Sequence, residues 1–307
     1  MSKHIVAGAG QVGRQLAQLL TEQGHEVVVV SRSGTGPDGV TKVAADASDE
    51  GRLIEITKDA DAIYNCVNPP YHRWPQEWPP MAAALLAAAE TSGAVLVTTG
   101  NLYSYGPVDR PMTEDLPLAG TGVKAQVRAR MWTDLLAAHR AGRIRMTELR
   151  GSDYFGPGTS DQAHLGSVRF VAPLLAGKRV SFLGNPDLPH SWTYVPDVVR
   201  ALALAGGDER AWGRAWHVPT APAISARSVA EKLADLASLP APRLRSVPKS
   251  VVNALGLVVP QLGALRELRY QFERPYLLDS SAFETTFGMR PTPLEEALAE
   301  TLRRERP

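Results

Sequence analysis

The chain has 307 residues, 33 Lys and Arg against 32 Asp and Glu, and a formal net charge of +1. That length holds one large α/β domain or two smaller ones with a sizeable core, and the charge balance excludes nucleic acid and anionic membranes as expected partners. A single cysteine, Cys66, excludes internal disulfides and fits a reducing cytoplasm. No basic-then-apolar leader precedes the first strand. The longest apolar stretch, Val251 to Leu265, is broken by Asn253, Gly256, Pro260 and Gln261 and is too short for a bilayer. The expectation is a soluble cytoplasmic protein.

From His4 the chain reads as a short apolar strand, a turn with Gly8, Gly10 and Gly13, and a helix carrying Val12, Leu16, Leu19 and Leu20 on one stripe. The helix stops near Gly24, and Val27 to Val30 form a second strand ending at Ser31, Arg32 and Ser33. Ser33 to Gly39 is a loop, Val40 to Ala45 a third strand ending at Asp46, Asp49 to Lys58 a helix, and Ala60 to Val67 a fourth strand. Asn68 to Pro80, crowded with prolines and aromatics, reads as a loop before an Ala/Leu-rich helix over Met81 to Thr91. A fifth strand (Ala94 to Thr99), a long loop (Gly100 to Gly122), a helix (Val123 to Arg140) and a sixth strand (Ile144 to Arg150) follow. Strands alternating with crossovers argue a Rossmann-type doubly wound parallel sheet of the α/β class, with ligands at the strand C-termini.

Regularity fades from Gly151. Helices are expected at Val168 to Ala176, Ser228 to Ser238 and Leu294 to Arg304, and a strand at Arg179 to Leu183. Trp192 to Leu202 reads as a strand end entering a helix, and Ala215 to Val218 as a return to the main sheet. The expected organisation is a dinucleotide-binding domain over 1–150, rejoined by 192–220, and a smaller C-terminal substrate lobe from 151–191 and 221–307. Such lobes wall in what lies against a cofactor.

The glycine pattern acquires meaning from its strand–turn–helix context. Gly8, Gly10 and Gly13 let the backbone approach a pyrophosphate, and the N–H groups from Gln11 and Val12 onward face its charge. Sheets that bind NAD usually place Asp or Glu at the end of the second strand. Here Ser31 holds that position and Arg32 follows, and a guanidinium holds a 2′-phosphate that a carboxylate would repel. NADP is therefore expected over NAD, the bland alternative being that Arg32 is a solvated loop charge.

Several further pieces carry a resemblance: Asp46-Ala47-Ser48-Asp49, Thr98 to Gly106, Leu149 to Gly158, Tyr194-Val195-Pro196-Asp197-Val198, and Phe287-Gly288 to Leu298. With the glycine turn, and in this order, the chain resembles the extended short-chain dehydrogenase/reductase group, the NAD-dependent epimerase/dehydratase family, over nearly its whole length. The resemblance implies that Asp46, with Ala47 beside it, touches the adenine. It also implies that the loop after the fourth strand, from Val67 and Asn68, lines the nicotinamide side, and that a homodimer forms through the helices at 81–91 and 123–140. The departures fall on the reacting groups. The family's catalytic Ser or Thr falls on Asn101, and its Tyr-x-x-x-Lys pair on Lys124 and Arg128. None of the eight tyrosines has Lys four residues later, although Tyr270 has Arg274. The chain looks like an atypical member with its proton-handling set replaced.

Among the residues that remain, Lys124 reads as a general acid or as a fixed charge for a developing alkoxide, with Arg128 donating to ribose or phosphate. The competing reading is a solvated basic helix face. Asn101 suits an oxyanion role or a plain turn, and Tyr103 is the alternative proton donor. Tyr71 and Trp74 read as a pocket wall for an apolar or aromatic substrate, or as packing. Asp153, His190 and Trp192 are expected on the substrate side. His190 stands where sugar-nucleotide enzymes of the family carry an Arg for the diphosphate, and it is a poorer anion clamp. The expected substrate is thus a small molecule other than a nucleotide sugar. No H-x-x-x-H or C-x-x-C spacing occurs, so no metal is expected. Two functions follow: an NADP-dependent oxidoreductase or epimerase working by hydride transfer, or a non-catalytic cofactor sensor or scaffold.

Overall fold

The structure, a computed structural model, describes residues 1–159, 163–248, 250–251 and 263–305. Most of the apolar stretch noted above, 252–262, lies outside them; among the described residues no helix is long and apolar enough to cross a membrane.

The chain divides into two units. The first comprises Met1–Ser104, Leu118–Arg150 and Val198–Trp216, and the second Tyr105–Pro117, Gly151–Asp197 and His217–Pro307. The segment that rejoins the first unit is thus narrower than 192–220, and part of the long loop, 105–117, groups with the second unit. Backbone pairing explains both. Met112 N donates to Leu277 O at 2.8 Å and Asp279 N to Met112 O at 2.9 Å, while Trp192–Tyr194 pairs in parallel with Asp153–Phe155.

The first unit is built on a seven-stranded parallel sheet. Its strands are β1 (Lys3–Ala7), β2 (Glu26–Ser31), β3 (Thr41–Ala44), β4 (Ala62–Asn65), β5 (Val95–Asn101), β6 (Arg145–Gly151) and, at one edge, β10 (Ala215–His217). Their order across the sheet is β10-β6-β5-β4-β1-β2-β3. β1 lies between β2 and β4, with Ile5 opposite Val28 on one side and Ile63 on the other. Such central strands are buried on both faces, which is why Val27 to Val30 is a continuous apolar run with no polar alternation. Helix α1 (Gln11–Glu22) buries Val12, Gly13, Leu16, Ala17 and Leu20. Helix α2 (Glu50–Thr57) is capped by Asp49, whose carboxylate accepts from Arg52 N at 3.0 Å.

One expectation fails. The stretch Asn68–Pro80 is not all loop: after a single tight turn at Tyr71–Arg73, helix α3 begins at Trp74 and runs to Ser92. Pro75 sits in the first turn, where a missing N–H costs nothing. Pro79 and Pro80 lie inside the helix, and each removes one backbone bond. What holds the turn together is the pair Trp74 and Trp78, four residues apart on one face and both fully buried. Helix α4 (Val123–Arg140) spans the residues expected of it.

At the other end of β1, His4 is hydrogen-bonded through one ring nitrogen to Ser2 Oγ (2.7 Å) and through the other to Tyr64 Oη (3.0 Å), and Ser2 Oγ also meets His25 Nδ1 at 2.8 Å. Burial, reinforced by the neighbouring His25, lowers the His4 imidazole to about 4. The unfolded chain takes up this proton near its ordinary value of about 6.5, so the linkage costs stability progressively as pH falls from there toward 4. His4→Gln, which keeps a hydrogen-bonding side chain without a titrating one, is expected to flatten that part of the urea-midpoint profile. An unchanged slope between those pH values would show that His4 does not supply it.

The second unit carries β7 (Asp153–Phe155) paired with β9 (Trp192–Tyr194), and β8 (Val180–Phe182) paired with β11 (Leu244–Ser246). Ser167–Val171 is a wide π turn that tightens into the short α5 (Ala172–Leu175), where an ordinary helix was expected. Helix α6 (Val195–Gly207) follows β9 and from Val198 onward groups with the first unit, while α7 (Ala226–Leu236), α8 (Ser281–Phe287) and α9 (Leu294–Glu305) belong to the second. Phe155, Phe170, Phe182, Trp192, Val229 and Leu298 share the core of this unit.

Candidate active site

In the first unit the turn between β1 and α1 is a cradle set by close backbone approach. Gly8 has φ +105°, and a Cβ there would lie 2.7 Å from the Cys66 carbonyl carbon and oxygen. A Cβ on Gly13 would lie 1.9 Å from Gly8 O. Those two glycines are demanded by the fold. Gly10 is different: it has ordinary extended backbone, and a Cβ there meets nothing within 4 Å. Gly10 is also the N-cap of α1, which has no capping side chain and no acidic residue in its first turn, unlike α2 with Asp49. The first-turn N–H groups of α1, beginning at Gln11, Val12 and Gly13, therefore form an electropositive helix end suited to an anion. These residues fit a dinucleotide pyrophosphate.

Around this turn the expected contact residues take definite places. Ser31 Oγ donates to Thr35 O and accepts from Thr35 N, both at 2.9 Å, closing the loop after β2 on itself. Arg32 and Ser33 are exposed. Asp46 Oδ1 accepts from Ser48 Oγ (2.7 Å) and Ser48 N (2.9 Å), and these bonds, with the Arg32 charge, hold the carboxyl below its ordinary range. Asp46 is thus an anion fixed in a local turn, with Ala47 buried beside it. Val67 N donates to Asn65 Oδ1 at 3.3 Å, and Asn68 is exposed. The thiol of Cys66, pushed up to about 12 by burial, faces Thr99 Oγ1 at 3.8 Å and is a neutral packing group.

The second cluster of this unit joins the turn after β4, the end of β5 and α4. Tyr71 and Tyr103 share a hydrogen bond between their hydroxyls at 2.9 Å. Trp74 lies against both rings, at 5.1 Å from Tyr71 and 6.0 Å from Tyr103. The Lys124 ammonium is 5.9 Å from the centre of the Tyr71 ring, and the Arg128 guanidinium is 4.9 Å from Trp74 and 4.5 Å from Trp78. Asn101 Oδ1 accepts from Tyr103 N at 3.1 Å, so its amide NH₂ is the end that can donate to a ligand.

Two readings change here. Lys124 and Arg128 are not a solvated helix face, since both are buried. Arg128 donates through Nη1 to Thr99 O at 3.1 Å and is flanked by two indoles, so it ties α4 to α3 and β5. Trp74 is 1 % exposed and its Nε1–H donates to Pro69 O at 2.9 Å, so it braces the tyrosines and does not itself wall a pocket. The i, i+4 spacing of Trp74 and Trp78 was the available signal for this packing, masked by the prolines between and after them.

Asp153, His190 and Trp192 come together in the second unit. His190 Nε2 meets Asp153 Oδ2 at 2.8 Å and its Nδ1 meets Gln271 O at 3.2 Å. Both ring nitrogens are thus engaged, one by the Asp153 carboxyl group and the other by a backbone carbonyl. The ring stacks between Trp192 (4.2 Å) and Phe272 (4.9 Å). Trp192 is itself buried and donates from Nε1 to Ile224 O at 3.0 Å. His164 completes the group, 3.8 Å from Asp153 Oδ1 and stacked on Phe272. Burial alone would raise the Asp153 carboxyl, but the hydrogen bond and charge of His190, with His164, hold it below its ordinary range. Burial lowers His164 to about 4. His164 was not singled out in the sequence, because nothing local marks it; only folding brings it to Asp153. Among the described residues no group of His, Cys, Asp and Glu is arranged to hold a metal.

Comparison with known proteins agrees with this architecture. The chain is 23% identical to UDP-glucose 4-epimerase of Corynebacterium glutamicum, over 93% of this chain and 96% of that protein. Its fold is similar to solved UDP-glucose 4-epimerases: that of Thermotoga maritima with UDP-glucose (TM-score 0.81, 18% identity, 98% of each chain) and that of Thermus thermophilus with NAD (TM-score 0.81, 20% identity, 99% of this chain and 98% of that one). Residues 4–216 match the model of the NAD dependent epimerase/dehydratase family, and the chain belongs to that family.

Proposed function

We propose that the protein is an oxidoreductase or epimerase that binds a nicotinamide dinucleotide and passes hydride to and from a small substrate other than a nucleotide sugar. The observation that carries this reading is the start of α1 behind Gly10, a helix end with no capping side chain and no acidic residue in its first turn, beside a turn so tight that Gly8 and Gly13 admit no side chain. When bound, the dinucleotide would supply the hydride acceptor or donor. Gly8, Gly10 and the α1 N-terminus would hold its phosphates, and the turns around Ser31 and Asp46 its adenosine half. Asn101, through its amide NH₂, and Lys124 would stabilise negative charge developing on a substrate oxygen. Related enzymes act on sugar nucleotides, but His190, with both ring nitrogens engaged and its faces covered, is not built to clamp a diphosphate.

The coenzyme preference rests on β2. Ser31 in place of a carboxylate and exposed Arg32 beside it favour NADP. The Thermus thermophilus relative bound to NAD favours the other coenzyme and makes NAD the second reading. Calorimetry separates them. NADPH is expected to bind more tightly than NADH, and Arg32→Asp is expected to weaken NADPH selectively by tenfold or more. Equal affinities, or equal loss of both in the variant, would overturn the NADP preference, and tighter binding of NADH would establish NAD in its place. No heat with either coenzyme would overturn the function.

A further inference from the structure

We propose that Tyr71, from the turn after β4, is the phenol that exchanges the substrate proton, taking the task of the tyrosine absent from α4, with Tyr103 and Lys124 as its support. This rests on the hydride-transfer reading above and names the group that completes it. Where the family pattern places a phenol, this chain has Lys124, and the Lys124 ammonium sits over the ring of Tyr71 at 5.9 Å. The turn therefore returns a phenol to the place beside α4 from which the helix has lost one. Tyr71 is half-buried, hence reachable, while Tyr103 behind it is 9% exposed.

The pair is held rigidly. Pro69 and Pro70 precede Tyr71, Trp74 Nε1 donates to Pro69 O, and the Trp74 ring contacts both tyrosines. A hydroxyl 2.9 Å from another stabilises its neighbour's phenolate by donating to it, and a cation over the ring favours the same charge. The charged groups near the pair are Lys124 and Arg128 from α4 and Arg73 on its own turn, paired to Glu77 at 3.3 Å, and the titratable His72 stands between Tyr71 and Arg73. Most of these are cations.

In the oxidising direction the substrate carbinol O–H bond breaks and its proton passes to the Tyr71 oxygen, held as phenolate by the Tyr103 hydroxyl. The adjacent C–H bond breaks with its electron pair leaving as hydride to the oxidised nicotinamide dinucleotide, and the O–H electron pair becomes the second bond of the carbonyl. The reverse direction returns proton and hydride.

An alkaline ultraviolet titration of the folded full-length protein, alone and with NADPH, tests this without knowledge of the substrate. Burial pushes Tyr194 up to about 12 and raises Tyr64 and Tyr270 as well, so those phenols ionise late. One phenol is expected to ionise at least about one pH unit before the remainder. Tyr71→Phe and Tyr103→Phe should each abolish that early phase, and Lys124→Met should move it to higher pH. All three variants should keep NADPH affinity within a few fold by calorimetry, which a disrupted fold would not allow. An early phase that survives Tyr71→Phe, or none in the unaltered protein, overturns the assignment. Failure of the unaltered protein to bind either coenzyme would instead remove the hydride-transfer reading.

Discussion

Gly13→Ala is expected to unfold or severely loosen the first β-α turn, with a loss of about 3 kcal/mol or more and no measurable coenzyme binding. The added Cβ would stand 1.9 Å from Gly8 O, a backbone atom fixed because Gly8 itself lies against the Cys66 carbonyl. Neither side can withdraw without separating α1 from β1 or β1 from β4. Gly10→Ala makes the informative contrast. Its Cβ meets nothing in the folded protein and its backbone suits any residue, so the urea midpoint should stay within about 0.5 kcal/mol of the unaltered protein. Coenzyme affinity should nevertheless fall by tenfold or more if, as proposed, the phosphates rest against the helix end, since the methyl group would occupy that open space. Urea unfolding paired with calorimetry on the two variants reads both quantities. A Gly10→Ala protein that binds as tightly as its parent would show that the phosphates do not pass that residue.

Asp153→Ala should destabilise the second unit by about 3–5 kcal/mol, since it leaves the His190 ring nitrogen buried between Trp192 and Phe272 without its carboxylate partner. The pH dependence has a defined sign. The folded carboxyl lies below the unfolded one, so its contribution is fully present above about pH 4 and is lost as pH falls through the lower folded value. His164, lowered to about 4 by burial, acts in a different window: its linkage weakens the fold as pH falls from about 6.5 toward 4. His164→Phe should reduce the slope in that upper window, leaving there the part that His4 supplies, and should leave the lower window to Asp153. Urea midpoints of the two variants across pH 3 to 8 check this, and a deficit under about 1 kcal/mol for Asp153→Ala at neutral pH would mean that the Asp153–His190 contact does not form.

The turn of glycines, the buried strand Val27–Val30 and the stripe on α1 were legible because their chemistry is local: periodicity, turn geometry and helix ends are written in neighbouring residues. Asn68–Pro80 was misread for a related reason. Proline density argues against a helix locally, yet two buried indoles four residues apart hold one in place against that preference. The basic pair of α4 was legible as a pair but not as buried, because the flanking rings come from α3, a separate part of the chain.

Sequence alone was enough to establish the family, the sheet and the first-turn glycines, since repeated apolar runs and a backbone too tight for a Cβ depend on short stretches of chain. Only the tertiary arrangement decided what the ionisable side chains do. Residues 71, 103 and 124 meet across a turn, a strand end and a helix, and 153, 164 and 190 across three separate segments. Burial and the identity of the facing group, which set whether a cation packs, pairs or donates, exist only once those segments are brought together.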